Sequence, residues 1–306
     1  MRSALNAITD ELRRLKTTGV KTVAVSEESV AVLRRIIVGR RSGFMPDTKA
    51  VAAAVAAPSM SGVKPDLQMK PAPVVAAPVT TLPPPPVVKL PVGDKAAQWA
   101  ALLDMVTSDA TCRANVRPQK KVVLGVGALD AKIMFVGEAP GAEEEIQGEP
   151  FVGPAGQLLT KMIQAMGLKR SEVYIGNIMN WRPQMPTAPG ATQVGNRPPT
   201  EEEMRYCLPF LRAQIEVVNP ALLVALGSTA AQGLLGFGSF KALGDVRGRW
   251  HEFGDKPLMV TYHPSYLLRP PVDNRKKRLV WEDLLKVMER ATLPISEKQR
   301  AYFLDK

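Results

Sequence analysis

Four short apolar runs, Lys132–Val136, Val173–Ile178, Ala221–Leu226 and Leu258–Tyr262, limit what this chain can fold into. They are too short for helices, and they are apolar on successive residues, so each must be covered on both faces. Between and after them lie stretches with helical spacing, near Gly156–Met166, Thr200–Val218, Thr229–Leu235 and Arg275–Arg290. Strands alternating with helices predict an α/β fold, with a parallel sheet and helices on both faces. In such sheets ligands gather at the carboxyl ends of the strands. The loops that follow the four runs are therefore where function is expected. No internal repeat is present.

Three regions follow from the patterning. Residues 1–42 read as a small basic helical region: Leu5, Ile8, Leu12 and Leu15 recur at helical spacing, and Val30, Val32, Leu33 and Ile36 form a second stretch opened by Ser26. Arg13, Arg14, Arg34, Arg35, Arg40 and Arg41 either solvate that region or tether it to DNA; its protein partner is unknown. Residues 43–94 read as a disordered linker. They hold eleven of the 27 prolines, with no aromatic residue between Phe44 and Trp99, too little apolar surface to offset chain entropy. The run Pro83 to Pro86 predicts an extended polyproline spacer. Residues 95–306 read as the folded domain, opened by a helix from about Asp94 to Val106.

Charge and composition narrow the chemistry. A formal net charge of +11 favours polyanion partners, nucleic acid first. No apolar run approaches the roughly 18 residues of a membrane span. The opening residues lack an apolar signal core and carry Asp10 and Glu11, so a cytoplasmic protein is expected, nucleoid-associated if bacterial. Two cysteines make no disulfide framework, and two histidines leave few ligands for zinc. Chemistry is left to carboxylates, a histidine, amides and backbone groups.

Each strand-end loop offers something specific. The first, Gly137-Glu138-Ala139-Pro140-Gly141, lets backbone approach a ligand closely and puts Glu138 at a strand tip. Glu143, Glu144 and Glu145 read as a solvated acidic run, while Phe151, between Pro150 and Gly153, can offer its face to a planar base. Asn177 ends the second strand with a donor and an acceptor that match the amide edge of a pyrimidine. Gly227-Ser228 steps from strand into helix, where exposed N–H groups can seat a phosphate. Past the fourth strand, Pro264 holds His263, and Tyr266, Leu267 and Leu268 lead to Arg269. This is a wedge able to enter a base step, with a cation for phosphate. His251 reads as structural.

These residues together resemble family 4 uracil-DNA glycosylases. The likeness lies in Gly137 to Gly141, Gly148 to Gly153, Gly156-Gln157-Leu158-Leu159, Asn177 with Arg182-Pro183, Val224 to Gly227 and His263-Pro264-Ser265, in the family's order and covering roughly residues 100–291. The resemblance implies a three-layer α/β/α sandwich around a four-stranded parallel sheet, and cleavage of the N-glycosidic bond of uracil in single- or double-stranded DNA. Free uracil and an abasic strand would be the products. Glu138 and His263 would be catalytic. The carboxylate would activate water or stabilise the sugar cation, and the imidazole would bond uracil O2. Gly137, Ala139, Gly141, Phe151 and Asn177 would bind the base. Gly156, Gln157, Gly227, Ser228, Ser265, Tyr266, Leu267 and Arg269 would contact the DNA. A non-catalytic binder of uracil-containing or abasic DNA is the alternative.

The sequence departs from the family at one place. Family members usually hold a four-iron, four-sulfur cluster on four cysteines, and here only Cys112 and Cys207 match. Asp109 and Trp181 stand at the other two positions. Two thiolates cannot hold a cubane that needs four, so no cluster and no other cofactor are expected, with Trp181 packing into the volume. The loop from 183 to 199 is also longer than the resemblance implies.

Overall fold

The computed structural model describes residues 82–187 and 192–304. The expected helices of residues 1–42, and the linker up to residue 81, lie outside the described residues.

The sheet has six strands: β1 (Val126–Gly127), β2 (Ile133–Gly137), β3 (Tyr174–Asn177), β4 (Leu222–Leu226), β5 (Trp250–Phe253) and β6 (Lys256–Thr261), ordered β1-β3-β2-β4-β6-β5. The four runs read from the sequence form its parallel centre, β3-β2-β4-β6. Two short antiparallel strands, β1 and β5, complete the edges. Every residue of β2, β3 and β4 is buried, which explains their unbroken apolar character.

Side-chain alternation splits the interior into two cores. Met134, Val136, Leu223 and Ala225 face one layer of helices: α1 (Lys95–Ser108), α2 (Ala110–Ala114), α5 (Glu201–Val218) and α6 (Ser228–Leu235). Ile133, Phe135, Leu222 and Val224 face the other, built on α4 (Pro154–Ala165) and α9 (Asn274–Arg290). Three smaller helices, α3 (Ala142–Gln147), α7 (Leu243–Val246) and α8 (Pro264–Leu267), lie in the connections, and α10 (Glu297–Arg300) follows α9. The three-layer α/β/α architecture is the one expected.

Helix ends obey local chemistry. Asp94 caps α1 by accepting the Ala97 N–H at 2.8 Å. Thr200 and Glu203 cap α5 reciprocally, at 3.2 and 2.7 Å. Asn219 closes α5 in the left-handed conformation, φ 51°.

The domain begins earlier than the sequence patterning placed it. Leu82, Val88 and Leu90 pack against the first core. The Leu82 N–H donates to Glu202 at 2.5 Å. The last part of the expected linker is thus a strap on the domain; its prolines keep it extended while alternate apolar side chains turn inward. Among the described residues no helix is long and apolar enough to cross a membrane.

Candidate active site

Chain order makes a crevice. From β2 the chain goes to β3 on one side, then returns to β4 on the other. The loops leaving β2 and its neighbours therefore diverge, and a ligand can sit between them. A cleft of about 870 Å³ opens there.

All four strand-end loops reach this cleft. Glu138, Ala139 and Gly141 line it after β2, and Asn177 after β3. Gly227 and Ser228 line it after β4, and His263, Ser265, Tyr266 and Arg269 after β6. Phe151 lines it from the loop before α4, its ring 5.5 Å from that of His263 and tilted by 32°. The side chain is 6% exposed and its φ is 55°. A bulky residue takes that conformation only where its surroundings impose it.

Glycines set the close approaches. A Cβ on Gly137 would fall 2.4 Å from both the Asn177 Oδ1 and the Phe151 ring. A Cβ on Gly227, at φ +92°, would meet the His263 Cβ at 3.0 Å.

Four expected contact residues are not among those lining the cleft. Gly137 lies behind the cleft, as the gap into which Asn177 and Phe151 pack. Gly156 is buried in α4, where a Cβ would meet the Phe151 carbonyl at 1.8 Å. It sets the seat of Phe151. Gln157 is exposed but outside the lining. Leu267 is 7% exposed and belongs to the second core, whereas Leu268 is 44% exposed. The exposed apolar side chain of this segment is Leu268, because the single turn of α8 rotates its neighbour inward.

The acidic run is a correction of a different kind. Glu144 and Glu145 are buried, at 9% and 6% exposure. Glu144 accepts the N–H groups of Gly141, Val152 and Gly153 at 3.0, 2.9 and 2.9 Å, stitching both sides of the first loop together. Glu145 pairs with Arg182 at 2.8 Å, both nearly inaccessible. Arg182 also donates to Asn196 Oδ1 and to the Gly195 carbonyl, each at 2.8 Å. That fixes the Asn196 amide with its acceptor end on the guanidinium and its donor end on the Gly141 side of the cleft. Asn196 and Arg197 line the cleft without having been singled out in the sequence; polar residues in loops carry no periodicity to mark them. Thr229, read from the sequence as the start of a helical stretch, lines it too.

The electrostatics assign states. The His263 Nδ1 accepts the Ser265 N–H at 3.2 Å and lies 2.8 Å from its hydroxyl. The neutral ring therefore carries its proton on Nε2. Burial pushes its pKa down to about 4; Arg269 adds to the fall and Glu144 opposes it. Burial pushes the Glu138 carboxyl above its ordinary value, and a hydrogen bond from Thr229, at 2.5 Å, opposes that rise. Asn177, 6% exposed, leaves its buried Oδ1 without a partner among the described residues. Below His263, Thr261 donates to the buried Asp283 at 2.6 Å, and Arg247 pairs with the same carboxylate at 2.7 Å. This anchors the end of β6.

The expected iron–sulfur position does not fit a four-thiolate cluster. Cys112 and Cys207, the chain's two cysteines, are buried free thiols whose pKa values burial raises. Asp109 instead caps α2 through the Cys112 N–H at 2.7 Å and accepts the Tyr206 hydroxyl at 3.0 Å. Trp181, 1% exposed, packs 6.0 Å from the Tyr206 ring. Among the described residues no group of three or more His, Cys, Asp or Glu is placed to hold a metal ion.

A doubly wound sheet with a half-buried carboxylate, a neutral imidazole and an unpaired amide around one aromatic ring defines the class: an α/β protein with a polar cleft at the carboxyl ends of its strands. Its family is fixed by comparison: the model of the Uracil DNA glycosylase superfamily matches residues 124–285, over half the chain, and the chain belongs to that superfamily. It is 45% identical over 166 residues to the Type-4 uracil-DNA glycosylase of Thermotoga maritima, covering 54% of this chain and 80% of that one. It is 39% identical to the Type-4 uracil-DNA glycosylases of Pyrobaculum aerophilum (50% and 76% covered) and Saccharolobus solfataricus (56% and 76%).

Proposed function

We propose that this chain is a uracil-DNA glycosylase: it hydrolyses the bond between uracil and deoxyribose in DNA, releasing uracil and leaving an abasic strand. The observation that carries the reading is the unpartnered Asn177 amide beside Phe151. A buried acceptor without a partner costs about 1–3 kcal/mol; here it packs against Gly137, and a turn of the amide toward the cleft that Asn177 lines would bring it to a ligand N–H. Uracil supplies one at N3 and accepts at O4; cytosine reverses both, which gives the discrimination its physical basis.

The base must leave the stack to reach this cleft. Leu268 can fill the gap it leaves, with Arg269 beside it for phosphate. As the C1′–N1 bond breaks, its electron pair departs on uracil. His263, neutral and protonated on Nε2, donates a hydrogen bond to the O2 where charge collects. An oriented donor of this type is worth roughly 2.7–4 kcal/mol. Glu138 faces the sugar side, where its carboxylate stabilises the cationic C1′ and orients the water whose oxygen bonds to it. The displaced proton passes to the carboxylate or to solvent. Stacking on Phe151 holds the ring through the step.

The chain works without an iron–sulfur cluster, because Asp109, Tyr206 and Trp181 join α2, β3 and α5 where a cluster would. Acting on DNA, such an enzyme works in the cytoplasm, nucleoid-associated if bacterial.

The test is a base-release assay on a uracil-containing oligonucleotide, single- and double-stranded, with wild type, Glu138→Gln and His263→Ala. Release by wild type that falls in both variants supports the reading. Tight binding of the oligonucleotide with no release would instead identify a non-catalytic binder.

A further inference from the structure

Among the described residues the Glu138 side chain has one hydrogen-bond partner, and it comes from a different connection. Thr229 lies in the first turn of α6, and its hydroxyl donates to Glu138 Oε2 at 2.5 Å, across 91 residues of sequence. Each half of this contact is built rigidly. Gly137, immediately before Glu138, is paired in the sheet with Asn177. Glu138's own carbonyl accepts the Met179 N–H at 3.0 Å. Gly227, which starts α6, is tied to the Thr261 carbonyl at 2.9 Å. A carboxylate bound through one oxygen by a hydroxyl is restricted in orientation, and its other oxygen is left for whatever enters the cleft that Glu138 lines.

We propose that Thr229 is a positioning residue for the reaction: it holds Glu138 Oε2 so that Oε1 stands ready for the sugar and the attacking water. This rests on the reading of Glu138 as a working carboxylate.

The contact has a second consequence. Hydrogen bonding to an ionised carboxylate favours the ionised form, and the first turn of a helix favours a nearby negative charge as well. Burial acts the other way. The other ionisable groups around the cleft are Glu143 and Glu144 on α3, Arg197 before α5, and Tyr262, His263, Tyr266 and Arg269 after β6. Among the described residues none of them forms an ion pair with Glu138; Glu144 is committed to backbone N–H groups, and Arg197 to Glu203 at 2.7 Å. His263 is neutral at working pH. Among the described residues Thr229 is thus the side chain that opposes the rise burial imposes on the Glu138 carboxyl.

The variants are Thr229→Val, which keeps the shape and removes the hydroxyl, and Thr229→Ser, which keeps the donor. Two measurements separate positioning from plain packing. In the carbon-13 NMR titration of the Glu138 carboxyl, identified by its loss in Glu138→Gln, the midpoint should rise in Thr229→Val and stay in place in Thr229→Ser. In uracil release, Thr229→Val should lower kcat by about tenfold or more, with KM nearly constant and the acidic limb of the pH profile moved upward. Thr229→Ser should restore both. An unchanged carboxyl midpoint in Thr229→Val overturns the proposal, including the case where only the melting temperature falls. The titration needs no turnover, so a wild type that released no uracil would sink the glycosylase reading while the contact itself was still decided.

Discussion

At the scale of single residues, the site separates charge by environment. His263 is neutral because a dry cleft beside Arg269 penalises a second cation more than Glu144 rewards it. NMR of the ring should find it neutral, with the proton on Nε2, from about pH 5 to 8; a titration midpoint near the ordinary histidine value would contradict this. As pH falls below that ordinary value, the unfolded chain takes up a proton that the folded chain refuses. The contribution of His263 to stability therefore declines with acid until the folded ring titrates at about 4. Replacing His263 with Ala should cut uracil release by about 100-fold or more, the equivalent of one oriented donor. Asn177→Asp should weaken uracil processing by about 10-fold or more relative to wild type, because a carboxylate cannot donate to O4. Competition between uracil- and cytosine-containing strands would measure the loss of preference.

At the scale of elements, the residues behind the site matter as much as those in it. Arg182 and Glu145 join the loop after β3 to α3 across a nearly inaccessible ion pair. Arg182→Met alone leaves a buried carboxylate uncompensated and should cost about 3–5 kcal/mol; adding Glu145→Gln should recover part of it, read by denaturant unfolding. Gly156→Ala drives a methyl into the Phe151 carbonyl. It should lower both stability and activity through the seat of Phe151. A Gly156→Ala protein with wild-type melting and turnover would show that α4 yields freely there.

At the scale of the molecule, the strap from Leu82 to Leu90 and the Asp109–Tyr206–Trp181 cluster cover the face opposite α4 and α9. A chain shortened to begin at Leu82 should melt at a higher temperature than one shortened to begin at Lys95, which loses the apolar contacts of Leu82, Val88 and Leu90. Protein expressed with ample iron should carry none and show no visible cluster band. Iron bound at cluster stoichiometry would refute the replacement of the four-cysteine site. Binding to DNA should weaken steeply with salt, since phosphate contacts release counterions.

The sequence alone determined the parallel centre of the sheet, because β2, β3 and β4 are buried on both faces and had to be written in continuous apolar residues. It also determined the order in which Glu138, Phe151, Asn177 and His263 arrive, since each follows or precedes one of those runs. Tertiary structure decided the rest. Glu144 and Glu145 look like solvated charge until the loop that buries them is folded, because their partners are backbone groups and a distant arginine. Leu267 and Leu268 are equivalent on paper, and only the turn of α8 sends one into the core and the other out. Thr229 met Glu138 across 91 residues, a contact that no local pattern encodes, because it depends on which strands lie side by side.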